Sequence, residues 1–328
     1  MFHRPKTRTS VSLAVMLLFA AGAAGAQPAG GVARIAFVSA TAFAPPVVKE
    51  LEAALRDAGW VPGRNLTIDY RSADGDYSRL PALVADVLEL KPQVILAGQT
   101  PTTQAIRKVT DAIPVVMIGH GDPIRYGIVT SFARPEGNTT GTAFLVNEVG
   151  VKLLELLKEA LPGAGRVGFF VNPDNPGAAP LLDAARQAAP RLGLTIRPVE
   201  VRTPVELSRQ LDALARDGVE ALWLAPEAFL LTNRQQILDF ALARRIPAVG
   251  TSPAYASAGA LLTYSPHFPS LVRASARYVD RILRGARPRD LPVEQPSRFE
   301  LIVNARTATT LGLTLAPALL LRADRVIE

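Results

Sequence analysis

Cysteine is absent from all 328 residues. That one absence excludes a disulfide framework, thiolate metal sites, a cysteine nucleophile and lipid attachment through an N-terminal thiol. Histidine is nearly as scarce, and with His3 in the N-terminal segment only His120 and His267 remain for a nucleophile-plus-base arrangement. No His-Glu-x-x-His, no Gly-Lys-Ser/Thr phosphate loop and no Gly-x-Ser-x-Gly elbow occurs. Past the N-terminal segment, no stretch reaches the roughly 18 uninterrupted apolar residues of a membrane span. Nucleic-acid chemistry is not indicated either. Thirty of the 36 Lys and Arg residues are arginine, but they are scattered and form no patch interleaved with aromatics.

The N-terminal segment reads as a leader. His3, Arg4, Lys6 and Arg8 are basic, Val11 to Ala21 is apolar but short, and Ala24-Gly25-Ala26 has the small-x-small form of a cleavage site. A signal peptide of residues 1–26, cleaved after Ala26, would leave 328 − 26 = 302 residues. At about 150 residues per domain that is two domains. The formal charge of +7 falls to about +4 once Arg4, Lys6 and Arg8 are gone. Export without cysteine predicts a free periplasmic protein, not a lipoprotein.

What the mature chain does contain is an internal repeat. Arg34-Ile-Ala-Phe-Val, Leu66-Thr-Ile, Val94-Ile-Leu-Ala and Ile113-Pro-Val-Val recur in order as Arg166-Val-Gly-Phe-Phe, Leu194-Thr-Ile, Leu222-Trp-Leu-Ala and Ile246-Pro-Ala-Val. The offsets are 132, 128, 128 and 133 residues, and a fifth pair, Gly127-Ile-Val-Thr and Gly259-Ala-Leu-Leu, is offset by 132. Apolar runs with little alternation, separated by helical periodicities such as Val47, Val48, Leu51, Leu55 and Ala58 after Pro45-Pro46, predict parallel sheets covered on both faces. The fold class is α/β, with two doubly wound Rossmann-like lobes and a cleft between them.

Lobe 1 is expected to comprise residues 31–141 with about 267–291, and lobe 2 residues 142–266 with about 292–328. Residues 134–146 carry turn chemistry and read as the first crossover between lobes. The long tail after Pro266 implies two more, which would restrict the hinge to opening and closing.

Ligands of open parallel sheets bind beyond the carboxyl ends of the strands. Those loops are rich in hydroxyls. Ser39 and Thr41 follow the first strand, Thr100 and Thr102 the third, and Asp122 the fourth; Asn172, Asn175, Glu227 and Ser252 occupy the corresponding loops of the second half. Thr100-Pro101 and Ser252-Pro253 read as helix starts with a hydroxyl at the N-cap and proline at N1, a setting that receives a carboxylate. Asp122 and Glu227 are the acids placed to meet an amine. Asp122 also reads as a turn former before Pro123, and Glu227 as a helix first-turn acid, the reading favoured there. His120 has no second ligand at metal spacing and reads as a loop or packed histidine. Asp74-Gly75-Asp76 reads as a turn.

The chain resembles the substrate-binding proteins of ABC transporters, specifically the tryptophan/tyrosine-type family with a type I periplasmic-binding fold. The resemblance spans essentially the whole mature chain. It is carried by Gly75-Asp-Tyr-Ser-Arg-Leu-Pro81, Ile113-Pro-Val-Val-Met-Ile-Gly-His-Gly-Asp-Pro123, Ala133-Arg-Pro-Glu-Gly-Asn-Thr-Thr-Gly141, Asn172-Pro-Asp-Asn-Pro176, Leu291 to Asn304 and Ala316 to Glu328. Glu136 stands where the family commonly has glycine, in what reads as a hinge loop.

The resemblance implies a periplasmic solute receptor, not an enzyme, that captures a small polar molecule and passes it to the membrane permease of an ABC importer. The expected ligand is an amino acid or a related compound, possibly aromatic. No cofactor, metal or nucleic acid is expected, and the receptor should be a monomer. Type I amino-acid binders hold the α-amino and α-carboxyl groups with the loops after strands three and four, which implies Thr100, Thr102 and Asp122 on one side and Asn172, Glu227 and Ser252 on the other. A periplasmic sensory module, an enzyme using the same cleft and an effector-binding regulator share the fold. The export signal and the lack of a helix-turn-helix before Arg34 argue against the last.

Overall fold

The computed structural model describes residues 31–214 and 216–328. The expected signal peptide lies outside the described residues. The first half runs β1 (Ala33–Ser39), α1 (Pro45–Asp57), β2 (Leu66–Ser72), α2 (Leu80–Glu89), β3 (Val94–Gly98), α3 (Thr100–Arg107), β4 (Val115–Gly121) and β5 (Thr139–Phe144). The second runs α4 (Val146–Ala160), β6 (Arg166–Val171), α5 (Ala178–Ala188), β7 (Thr195–Glu200), α6 (Pro204–Leu214), β8 (Ala221–Leu224), α7 (Ala228–Thr232), α8 (Arg234–Ala243), β9 (Ala248–Gly250), α9 (Pro253–Ser257) and β10 (Leu262–Pro266). There follow α10 (Phe268–Leu283), β11 (Phe299–Asn304), α11 (Ala305–Leu311), α12 (Pro317–Leu321) and β12 (Arg325–Ile327).

The repeat is a repeat of topology. The first sheet has the order β2-β1-β3-β4-β5, all parallel, and the second contains β7-β6-β8-β9-β10 in the same arrangement, extended by β11 and β12. Even the edge register is kept: Arg34 lies opposite Thr67, and Arg166 opposite Thr195. β1, β3, β6 and β8 are buried almost throughout because helices cover both faces of each sheet, which is why they read as unbroken apolar runs. The two-strand addition differs, since β11 is antiparallel to β10.

α10 belongs with the first sheet. Its Val272, Ala276, Val279 and Ile282 pack in one cluster with Phe37, Leu55, Val116 and Ile118. Three connections thus pass between the sheets: β5 to α4, β10 to α10, and residues 291–299. The last of these pairs with the first sheet through Glu294, whose N–H donates to Gly141 and whose carbonyl accepts from Ala143, both at 3.0 Å, before entering β11.

Three sequence expectations change. The pair Gly127/Gly259 does not mark equivalent strands, because Gly127 lies in a turn while β10 corresponds to β5, which starts at Thr139. Ile128 and Val129 are buried against Met117, Ala143 and Val293 without joining a sheet. Residues 139–144, read as turn, are a strand whose threonine hydroxyls are used internally: Thr140 Oγ1 donates to the Leu291 carbonyl at 2.7 Å, and Thr142 Oγ1 accepts from Gly119 N–H at 2.9 Å. The apolar spacing over 231–244 fits a single helix, but the structure has two, α7 and α8, with Asn233 between them.

Glu136 is also misplaced by the hinge reading. It precedes β5 at the amino ends of the strands, where Val115 N–H donates to Asn138, whereas the connections between the sheets leave from the opposite, carboxyl ends.

Candidate functional site

The loops at the carboxyl ends of the two sheets meet. Tyr77, in the 3₁₀ turn Tyr77–Arg79 before α2, donates its hydroxyl to Glu227 Oε1 at 2.6 Å across 150 residues of chain. Asn175 Nδ2 donates to the same Tyr77 oxygen at 3.4 Å, and Asn172 Nδ2 donates to Glu227 Oε1 at 3.4 Å. Four residues from the two halves therefore share one polar cluster.

Glu227 is its centre. It stands at the N-cap of α7, in extended backbone conformation, and its Oε2 accepts from Leu230 N–H at 2.9 Å. Only 2% of the residue is exposed, yet among the described residues no lysine or arginine forms an ion pair with it. Burial pushes its carboxyl above the ordinary glutamate range, against the hydrogen bonds from Tyr77, Leu230, Phe229 and Asn172. Burial and the adjacent Glu227 charge hold the Tyr77 phenol well above its usual value. Tyr255 closes the floor beneath, fully buried, its hydroxyl donating to the Ala225 carbonyl at 2.8 Å.

On the first-sheet side, Gln99 organises the rim. Its Oε1 accepts from Ala40 N–H at 3.1 Å and from Ser39 Oγ at 3.4 Å, while its Nε2 donates to Thr41 Oγ1 at 3.2 Å. Ser39 and Thr41 are thus tied into one brace, their hydroxyls 3.2 Å apart. Gln99, not Thr100, is the N-cap of α3. It has a positive φ of 67°, and Thr100 is the first helical residue. The shift arises because Gln99, held by its side-chain bonds to the neighbouring loop, turns the chain one residue earlier than the Thr-Pro pattern implies.

Thr100 and Thr102 are both buried, and Thr102 Oγ1 has no hydrogen-bond partner. Thr103 Oγ1 lies 2.7 Å from His120 Nε2. His120 is a packed histidine. Burial drives its imidazole down to about 3, opposed by backbone groups of Ile118 and Gln99 that do not meet Nδ1 at hydrogen-bond geometry.

The remaining candidates are distributed as follows. Ser252 caps α9, its Oγ accepting from Ala254 N–H at 3.4 Å, beside the buried, unpartnered Thr251 hydroxyl. Asp122 is half-buried with a positive φ of 33°, its Oδ1 accepting from Arg125 N–H at 3.3 Å, which is turn chemistry. The structure therefore brings Asn172, Asn175 and Glu227 into one cluster, ties Ser39 to Thr41, and, among the described residues, gives Asp122 no hydrogen bond to that cluster. Tyr77 and Gln99 were not among the expected contact residues. The Gly75–Pro81 motif and the Gly98–Thr103 loop contained them, but nothing in either segment shows that Tyr77 reaches an acid 150 residues away.

The run Gly163-Ala-Gly165-Arg-Val-Gly168 has dinucleotide-fingerprint spacing. It leads into β6 at Arg166 and opens no helix, so it forms no phosphate-binding turn.

Comparison with known proteins agrees with this architecture. The family described as ABC transporter substrate binding protein matches residues 31–327. A tyrosine-binding protein of Clostridioides difficile is 25% identical over 260 residues, covering 79% of this chain and 74% of the relative. Among solved structures, a conserved domain protein from Vibrio cholerae superposes with a TM-score of 0.82 at 24% identity, covering 90% of this chain and 99% of that one. An ABC domain in complex with L-Trp from Streptococcus pneumonia superposes with a TM-score of 0.81 at 21% identity and the same coverage. With a family match across nearly the whole described chain and this doubly wound, two-sheet frame, the protein belongs to the ABC transporter substrate binding proteins and has their type I periplasmic-binding fold.

Proposed function

We propose that this protein is a periplasmic receptor that captures an amine-bearing solute, an amino acid or a close relative, and delivers it to the membrane permease of an ABC importer. The observation that carries the reading is Glu227, a buried carboxylate at the rim between the two sheets with no cationic side chain paired to it. An ion taken out of water costs several kcal/mol unless a partner compensates it. A ligand ammonium supplies the missing charge, and its hydrogen bond to the carboxylate is of the strong, charge-assisted kind. The weighting of the two acids thus reverses, with Glu227 as the amine partner and Asp122 as a turn former.

The opposite end of such a ligand meets the start of α3. There the first-turn N–H groups lack intrahelical partners, and the Thr102 hydroxyl is buried and unused. Asn172 and Asn175 border the amine, Ser39 and Thr41 line the braced rim, and Thr100 and Ser252 complete the hydroxyl set. Two relatives, a tyrosine-binding protein and an ABC domain in complex with L-Trp, support an amino acid with an aromatic side chain. The chain acts as a monomeric, non-catalytic carrier, exported by the segment ending at Ala26 and free of lipid. Micromolar capture corresponds to about −8 kcal/mol, within reach of a few polar contacts and one buried side chain.

The test is a thermal-shift screen of residues 27–328 with amino acids, their deaminated analogues and neutral sugars. Amino acids should raise the melting temperature and deaminated analogues should not. If a sugar or a deaminated acid stabilises as strongly as its amine counterpart, the ammonium assignment fails. If bound compound is recovered chemically altered, the receptor reading fails as well.

A further inference from the structure

The loop holding Tyr77 reaches across to the loops of the second sheet. Each hydrogen-bond partner of the Tyr77 hydroxyl, Glu227 and Asn175, comes from the second sheet's loops, while its ring packs against the first half's core around Leu80, Val84 and Ala97. Two residues earlier, Gly75 lies against α7 so closely that a Cβ there would stand 2.9 Å from Thr232 Oγ1 and 3.1 Å from Phe229 Cα. Gly75 also has a φ of +90°, a conformation side chains rarely adopt. The loop is therefore shaped both to reach across and to permit backbone-to-helix approach.

We propose that Gly75 to Tyr77 form a clasp that holds the two halves together without ligand, with Tyr77 acting as a positioning residue that sets the closing equilibrium and the release rate rather than contacting the solute. The clasp deepens the receptor reading, since it acts on the same cleft. When the halves separate, Glu227 and Tyr77 both return to water, so the bond counts only toward closure. A hydrogen bond to a charged group is worth about tenfold to a hundredfold in an equilibrium. Among amine-bearing solutes the factor is the same, because Tyr77 spends its hydroxyl on Glu227 and none of it on the solute's side chain. A residue that recognised the ligand would instead discriminate among ligands.

The experiment uses ligand-free protein first. The chain has no cysteine, so spin labels on Ala85→Cys in α2 and Ala243→Cys in α8, both exposed alanines, report the distance between the halves without background. Wild type should show a closed population, and Tyr77→Phe should lower the closed-to-open ratio by about tenfold to a hundredfold. Gly75→Ala should lower it too, and Glu227→Gln, which keeps an acceptor oxygen, should lower it less than Tyr77→Phe. An unchanged distribution in Tyr77→Phe, or a wild type that is wholly open without ligand, overturns the clasp. For the amine-bearing solutes found in the screen, Tyr77→Phe should speed dissociation by a common factor, and a factor that varies with the solute's side chain also overturns it. Should no solute bind, the receptor reading falls while the ligand-free distances still decide the clasp.

Discussion

The indole nitrogen of Trp60 donates to Asp280 Oδ1 at 2.9 Å, joining the end of α1 to a helix 220 residues further along. Arg284 binds the same carboxylate oxygen at 2.6 Å and lies over the Trp60 ring, 5.8 Å from its centre. Asp280→Ala leaves a nearly buried indole N–H unpaired and an arginine without its anchor. A loss of about 1–3 kcal/mol is expected, read as a lower urea midpoint. An unchanged midpoint would show that apolar packing alone holds α10 in place.

Glu136 has a φ of 56°, in the left-handed region. A side chain there costs roughly 1–2 kcal/mol, partly offset by the greater chain entropy that glycine brings to the unfolded state. Glu136→Gly should therefore stabilise the protein by about 0.5–1 kcal/mol. Chemical denaturation measures it, and a destabilised variant would mean that the Glu136 side chain contributes a contact outweighing its backbone strain.

Glu227 titrates above the ordinary glutamate range because it is buried. A raised carboxyl favours the folded protein when protonated, so its contribution is fully present below the unfolded value and is lost as pH rises through the folded one. Above that folded value the ligand-free protein carries the cost of the buried charge. Glu227→Gln should then melt higher than wild type at pH 7, by roughly 2–4 °C for each kcal/mol removed. The gap should narrow toward pH 4, and binding of amine ligands should disappear. A variant that melts lower at pH 7 would mean that the bonds from Tyr77, Leu230 and Asn172 repay the burial in full.

His120, held near 3, stays neutral when folded across the physiological range. Once unfolded it returns to about 6.5, so between those values the unfolded chain binds the extra proton and stability falls as pH drops, by at most about 1.4 kcal/mol per unit. His120→Asn removes that acid-side slope while keeping a polar partner for Thr103. Stability-against-pH curves of the two proteins should converge as pH falls from 6.5 toward 3, and parallel curves would contradict a buried neutral imidazole.

How far the fold could be read ahead of the structure depended on what each segment buries. β1, β3, β6 and β8 bury aliphatic side chains on both faces, so their runs stand out and recur at a fixed spacing. β5 is buried just as deeply with Thr139, Thr140 and Thr142, whose hydroxyls bond to the Asn138 side chain and to the Leu291 and Met117 carbonyls, and threonine beside glycine reads as turn. The candidate site divides along the same line. Asn172, Glu227 and Ser252 could be placed because they follow strands directly. The partnership of Tyr77 with Glu227 could not, because it depends on how the halves meet and no local pattern encodes that. Gln99 took the capping position from Thr100 through side-chain bonds to a loop 59 residues away, a competition that a Thr-Pro pair does not reveal.

α10 covers the first sheet yet is encoded after the whole of the second. A chain emerging from a ribosome therefore lacks the α10 side chains that pack with Phe37, Val116 and Ile118 until residues 268–283 arrive, more than a hundred residues after β5 is complete. The half that is synthesised first is finished last, and through that interval its bare aliphatic face is the surface a holding chaperone would shield and a protease would find.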